Sequence, residues 1–134
     1  MSNQFSSIFF QKTGSHKSQI CQYLNNEIPF STKVRLIEQM KLLEIYGIKP
    51  GYVKIKKFQN DMFKIRLNDG NNNCRVYFIL INNVIYYLYG YNKKTQKTAD
   101  GVKIRINNLK IELLEQIKKQ ENYLSQFIDW NKEI

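Results

Sequence analysis

Between residues 54 and 105 the chain sets eleven basic side chains against three acidic ones, and several of the eleven stand where a β-strand would aim them away from a core. Lys64 and Arg66 lie two apart in the alternating run Met62-Phe63-Lys64-Ile65-Arg66-Leu67. In an extended strand they project from one face, while Phe63, Ile65 and Leu67 take the other. Arg75 opens the next apolar run and can come beside them across a hairpin, and Lys93 and Lys94 close the third. Such a set suits a phosphodiester. Arginine clamps phosphate oxygens through its planar fork and keeps its proton at any useful pH. Lysine can donate a proton, or accept one where neighbouring cations depress its pKa. A concave sheet bearing these five cations would form a phosphate-binding cleft. Lys54, Lys56, Lys57 and Lys97 extend the same charge, and Gln96 can hydrogen-bond a base edge. Tyr77, Tyr87, Tyr89 and Tyr91 are candidates for stacking on an unstacked base. Strand aromatics commonly pack instead, and Tyr91, beside the lysine pair, has the best claim to substrate; Tyr77 is carried with it as a candidate contact.

The remaining composition narrows the chemistry. The net charge is +10 over 134 residues. Residues 1–53 contribute six basic and three acidic side chains, and residues 106–134 four and five, so the excess is concentrated in the middle. That distribution favours a polyanionic partner, because each neutralised phosphate releases counterions; an acidic peptide or a membrane surface would satisfy the same charge. The one histidine is His16, which leaves no histidine dyad and few zinc geometries. Cys21 and Cys74 are far apart and read as reduced, partly buried thiols. No metal or cofactor is expected, since the carboxylates are scattered. No apolar run approaches the roughly 20 residues of a membrane span, and Met1-Ser2-Asn3-Gln4-Phe5 lacks the features of a secretory signal. A cytoplasmic protein with no membrane partner is expected.

The elements that must position the cations follow from periodicity. Phe5 to Phe10 reads as a first strand, with a turn at Gly14-Ser15. Ile20, Tyr23, Leu24 and Ile28 fall at helical spacing up to Pro29. A second helix, capped by Ser31 or Thr32, carries the stripe Leu36, Ile37, Met40, Leu43 and Tyr46 and stops at Gly47 and Pro50-Gly51. The two helices are expected to form an antiparallel hairpin. After Pro50 the period changes to two. Residues 62–67, 74–81 and 84–91 read as a three-stranded antiparallel meander, joined by a turn over 68–73 and a tight Asn82-Asn83 turn. From Thr98 a long helix carries Val102, Ile106, Leu109, Leu113 and Ile117, with Leu124, Phe127 and Ile128 continuing it. The expected class is α+β, one domain over 1–134: a short N-terminal strand and α-hairpin, one helical layer on an antiparallel sheet, and a long C-terminal helix, with about 120–134 a helical extension or tail.

The run Tyr89-Gly90-Tyr91-Asn92-Lys93-Lys94-Thr95-Gln96-Lys97-Thr98 resembles the hallmark segment of HigB-type toxins in the RelE/ParE superfamily, in which a strand ends in an aromatic residue, paired lysines and a Thr-Gln-Lys-Thr stretch opening the last helix. Met62-Phe63-Lys64-Ile65-Arg66-Leu67 and Cys74-Arg75-Val76-Tyr77 resemble two earlier strands of that family, and the resemblance covers roughly residues 5–120. The chain departs from the pattern at Cys74, where the family usually has an aromatic, and at Ala99, where it often has proline. It also shows no obvious counterpart of the RelE final-helix tyrosine, which leaves the general base unassigned.

The resemblance implies a RelE-like toxin of a type II toxin–antitoxin system that cleaves mRNA on the ribosome by attack of a ribose 2′-OH on the adjacent phosphate. Carried over residue by residue, it implies Lys64 in nucleophile activation, Arg66 and Arg75 in phosphate stabilisation, and Lys94, with Lys93, in charge stabilisation or leaving-group protonation. It implies RNA binding by Lys54, Lys56, Lys57, Tyr77, Tyr91, Lys93, Gln96 and Lys97. The implied partners are mRNA on the ribosome and a cognate antitoxin, HigA-like with a helix-turn-helix. Two other readings remain open. One is a ParE-like poison of DNA gyrase lacking RNA chemistry, against which the retained cations argue. The other is a basic nucleic-acid-binding module without turnover.

Overall fold

The computed structural model describes residues 4–11, 18–49, 54–59, 61–94, 100–119 and 126–127. In chain order these form β1 (Ser6–Phe9), α1 (Gln19–Gln22) running into a π-helical turn (Tyr23–Glu27), α2 (Phe30–Tyr46), β2 (Ile55–Gln59), β3 (Met62–Asp69), β4 (Asn72–Ile81), β5 (Val84–Asn92), α3 (Asp100–Lys118) and β6 (Gln126–Phe127). The strands make one sheet in the order β2-β3-β4-β5-β1-β6. The class is α+β, as the periodicity implied.

The expected meander is present with one strand added before it and two after. β2, too short and too rich in lysine to announce itself, pairs antiparallel with β3. β1 runs parallel to β5, Ser6 opposite Val84 through Phe9 opposite Tyr87, so the sheet is mixed rather than purely antiparallel. Gln126 and Phe127 pair antiparallel with β1, so Phe127 belongs to a strand and does not continue α3; Leu124 and Ile128 lie outside the described residues. The turn between β3 and β4 is tighter than the Asn-rich run 68–73 implied. Asp69 already pairs with Asn72, and Gly70, at φ +61°, takes the left-handed position that a two-residue hairpin demands.

Helices cover both faces, not one. Alternation along β3 and β4 sends Ile65, Leu67, Cys74, Val76 and Phe78 to one side, where they bury against Ile20, Tyr23 and Leu24 and against Leu36, Met40 and Leu43 of α2. Met62, Tyr77 and Ile79 go to the other side, with Ile106 and Leu113 of α3. Ser18 caps α1 by accepting from the Cys21 amide at 3.4 Å. α2 begins earlier than a Ser31 or Thr32 cap would place it. Pro29 holds the extended N-cap position and accepts from the Lys33 amide at 2.9 Å. The Thr32 hydroxyl instead donates to Asp69 Oδ2 at 2.7 Å, docking α2 on the end of β3. Gly47, at φ +69°, ends α2 as expected. The proposed turn at Gly14-Ser15, His16, and the Pro50-Gly51 stop lie outside the described residues.

Candidate functional site

Directly opposed residues in an antiparallel pair share a face, so the register of β2, β3 and β4 dictates what gathers on the α3 side. Lys56 stands opposite Lys64, Arg66 opposite Arg75, and Asn68 opposite Asn73. These three rungs lead off the covered part of the sheet into a cleft of about 490 Å³, lined by Lys56, Lys64, Arg66, Asn68, Asn73, Arg75, Lys93 and Lys94. Among the described residues no carboxylate lines it. Asp69, the nearest in sequence, belongs to the other face, where Arg35 Nη1 holds it at 2.8 Å beside Thr32.

Lys93 reaches the cleft because β5 carries a bulge. Tyr77 pairs with Tyr89 but Phe78 pairs with Tyr87, leaving Leu88 as the extra residue on β5. Upstream of it Ile85 and Tyr87 face the α1/α2 side, whereas Leu88 and Tyr89 both pack on the α3 side. The phase of the strand is thereby shifted by one, which puts Tyr91 and then Lys93 on the cleft face. The Lys93 amide donates to Asn73 O at 2.8 Å, extending the β4–β5 ladder past Asn92.

Side chains from the N-terminal half brace this end of β5. β1 pairs β5 only as far as Tyr87, and the Gln19 carboxamide takes over at Gly90, donating to its carbonyl at 2.6 Å and accepting from its amide at 2.8 Å. Tyr23 donates to Asn92 Oδ1 at 2.5 Å, and Asn92 Nδ2 to Asn72 Oδ1 at 2.9 Å. Gly90 is required by this packing. A Cβ there would lie 2.5 Å from Tyr23 Cδ2 and 2.8 Å from Ile20 Cδ1.

Lys64 is the deepest cation, only 8% exposed. Its ammonium sits 5.9 Å from the Phe58 ring centroid and 5.8 Å from that of Tyr77, an aromatic floor beneath the charge. Burial first, then Lys93, Lys56, Arg75 and Arg66, bring its pKa down from 10.5 to about 8. Burial and the same arginines lower the pKa of Lys93. Arg75 is 7% exposed and anchored, with Nη1 donating to Asn68 Oδ1 at 3.0 Å and to Cys74 O at 2.8 Å. Burial and the facing Arg66 push its pKa down. Arg66 itself is exposed. The arrangement offers an amine near neutrality, two guanidinium groups and three more ammonium groups around one space, a set fitted to bind a phosphate and exchange protons with it.

Of the residues singled out from sequence, the cleft brings together Lys64, Arg66, Arg75 and Lys94, with Lys56 and Lys93. Lys57 is exposed but pairs with Phe63, and so belongs to the opposite face. Lys54 is exposed outside the lining, its carbonyl accepting from the Arg66 amide at 2.9 Å. Tyr77 is fully buried and so cannot stack on a substrate base; it packs between Phe58 and Tyr91. Tyr91 is half-buried against it with its hydroxyl enclosed, and does not line the cleft. Gln96 and Lys97 lie outside the described residues. Sequence reasoning missed Asn68 and Asn73 by assigning them to the turn. Their distance of two residues from Arg66 and Arg75 was the available signal.

The profile of the phage-derived Gp49-like protein family (DUF891) matches residues 25–110, from the π-helical turn well into α3, and so spans every cleft residue. The chain belongs to that family. Gp49-like proteins are a toxin-like family of toxin–antitoxin systems. No curated protein matches this Gp49-like chain. Among its described residues no helix is long and apolar enough to cross a membrane.

Proposed function

We propose that this Gp49-like protein is a RelE/HigB-type toxin, an endoribonuclease that cuts mRNA on the ribosome through the cationic cleft. The observation that carries this reading is Lys64, an almost buried amine with a pKa near 8, ringed by cations with no carboxylate among the described residues to hold its proton. A general base works best when its pKa lies near the operating pH. A cleft that merely held RNA would not require one of its lysines to be desolvated.

In the reaction, neutral Lys64 removes the proton from a ribose 2′-OH. The 2′-oxygen forms a bond to the adjacent phosphorus, and the P–O5′ bond breaks. The products are a 2′,3′-cyclic phosphate and a 5′-OH. Arg66 and Arg75 stabilise the negative charge that develops on the phosphorane, worth typically 10²–10³-fold for one well-placed donor. The 5′-oxygen takes a proton from the lysine pair at the cleft rim. Lys93, half-buried and with its pKa lowered, fits the acid role better than exposed Lys94, which is placed to hold a flanking phosphate. Each step moves one proton and needs no redox partner.

The setting is the cytoplasm, and the partner a HigA-like helix-turn-helix antitoxin. The test is purified protein on programmed ribosomes and on naked RNA, with cut ends mapped. Cuts bearing 5′-OH termini that vanish in Lys64→Ala support the reading. Intact mRNA alongside DNA-damage signalling in cells would favour a gyrase poison, and salt-sensitive RNA binding without scission would favour a plain binding module.

A further inference from the structure

Six of the eight described residues lining the cleft are cations, which bind phosphate and carry no information about sequence. The other two, Asn68 and Asn73, are carboxamides, the side chains that read base edges elsewhere. They face each other across β3 and β4, one rung beyond the Arg66–Arg75 rung and so about two residues, ~6.6 Å, from it along the strands.

Asn68 is not free to choose its orientation. Arg75 Nη1, which can only donate, bonds Asn68 Oδ1 at 3.0 Å and is itself pinned by Cys74 O. The Asn68 oxygen is thereby committed to Arg75, and its NH₂ group makes no hydrogen bond among the described residues. Asn73 sits on a backbone fixed by the Lys93 amide, and its carboxamide remains able to present either end. The pair therefore offers one oriented donor and one adaptable neighbour beside the phosphate site.

We propose that Asn68, assisted by Asn73, is the specificity-determining residue of this cleft, donating to a nucleobase beside the scissile phosphate and selecting bases that present a carbonyl, guanine O6 or uracil O4. This rests on the nuclease reading above and adds what the cations leave undetermined. Adenine and cytosine present amino groups at the corresponding position and would set donor against donor.

The test reverses the polarity of the contact. Wild type, Asn68→Asp and Asn68→Ala are assayed as full chains on ribosomes programmed with mRNA of randomised codons, and cut positions are counted as fractions of all cuts. Wild type is expected to favour guanine and uracil over adenine and cytosine at one position beside the cut by about tenfold, within the range of a good base contact. Asn68→Asp, whose second oxygen accepts, should shift that position toward adenine and cytosine, and Asn68→Ala should flatten it. Position 68 is exposed, and the alanine variant keeps the test informative if aspartate perturbs folding. Cleavage with the same profile in all three proteins overturns the inference and leaves the nuclease reading intact. Absence of cleavage by wild type on ribosomes and on naked RNA overturns the nuclease reading and the inference together.

Discussion

Arg66 and Arg75 stand directly opposite each other on adjacent strands, both on the cleft face, with no carboxylate between them among the described residues. Like charges at such a rung oppose pairing by a few tenths to about 1 kcal/mol, an amount that an anion in the cleft would convert into attraction. Folding retains an arrangement that is favourable only when occupied.

The two arginines should therefore separate on mutation. Arg66→Ala is expected to lower cleavage on ribosomes by about 10²-fold or more, with a melting temperature equal to or slightly above wild type. Arg75→Ala should lose activity to a similar degree and also lose stability, because its bonds to Asn68 and Cys74 O go with it. Thermal melts alongside cleavage rates check this, and equal stability losses in both variants would contradict it.

Lys64 gives the reaction a pH dependence with a definite sign. In the proposed reaction the neutral amine is the base, and its fraction grows as pH rises through about 8. Single-turnover rates are expected to climb about tenfold per unit below that value and to level above it. Lys64→Arg keeps the charge but cannot lose the proton, so it should bind RNA and fail to cut. A flat profile between pH 6 and 8 would remove Lys64 from the role of base.

The same residue costs stability. Its folded pKa lies below that of an unfolded lysine, so between about 8 and 10.5 the unfolded chain binds more protons. Stability from this group therefore rises with pH across that window and is lowest below it. Lys64→Met, which fills the space over Phe58 and Tyr77 without a charge, is expected to stabilise the protein at pH 7 by up to about 3 kcal/mol while abolishing cleavage. Denaturant unfolding at pH 7 and pH 10 tests both halves, since the advantage should shrink at the higher pH.

Gly90 and Gln19 predict a defect at a distance. Gly90→Ala forces a methyl group into Tyr23 and Ile20 and is expected to cost about 1–3 kcal/mol. Gln19→Ala leaves the Gly90 amide and carbonyl without their partner and should loosen the end of β5 that carries Lys93. Its signature is a drop in cleavage larger than its drop in melting temperature implies, with faster amide exchange at Gly90 and Lys93.

The parts of the site that alternate locally were legible from sequence. Phe63, Ile65 and Leu67 against Lys64 and Arg66 need only the pleat of one strand, and Arg75 needs one hairpin more. Lys56 and Lys57 are neighbours in sequence, yet only the register of β2 with β3 decides that Lys56 faces the cleft and Lys57 does not. Val84 to Tyr91 is apolar on both faces, so nothing in it marks where the bulge falls. Tyr77, two residues from Arg75 on the same strand face, carries no sign in the sequence that it would be buried. β1 against β5 is a parallel pairing across most of the chain, with no local trace. Phe127 fell at helical spacing from Leu124, a pattern too short to tell a helix from the two-residue strand that docks on β1.

Leu88 is one residue in excess of the ladder, and it divides β5 into a stretch whose odd positions serve the interior beneath α2 and a stretch whose odd positions face α3 and then the cleft. Were Leu88 instead paired into a regular ladder opposite Tyr77, Asn92 would fall opposite Asn73 and Lys93 would turn to the other face. A bulge of this kind lets a strand stay apolar through its middle and still deliver an ammonium group to a chosen side at its end.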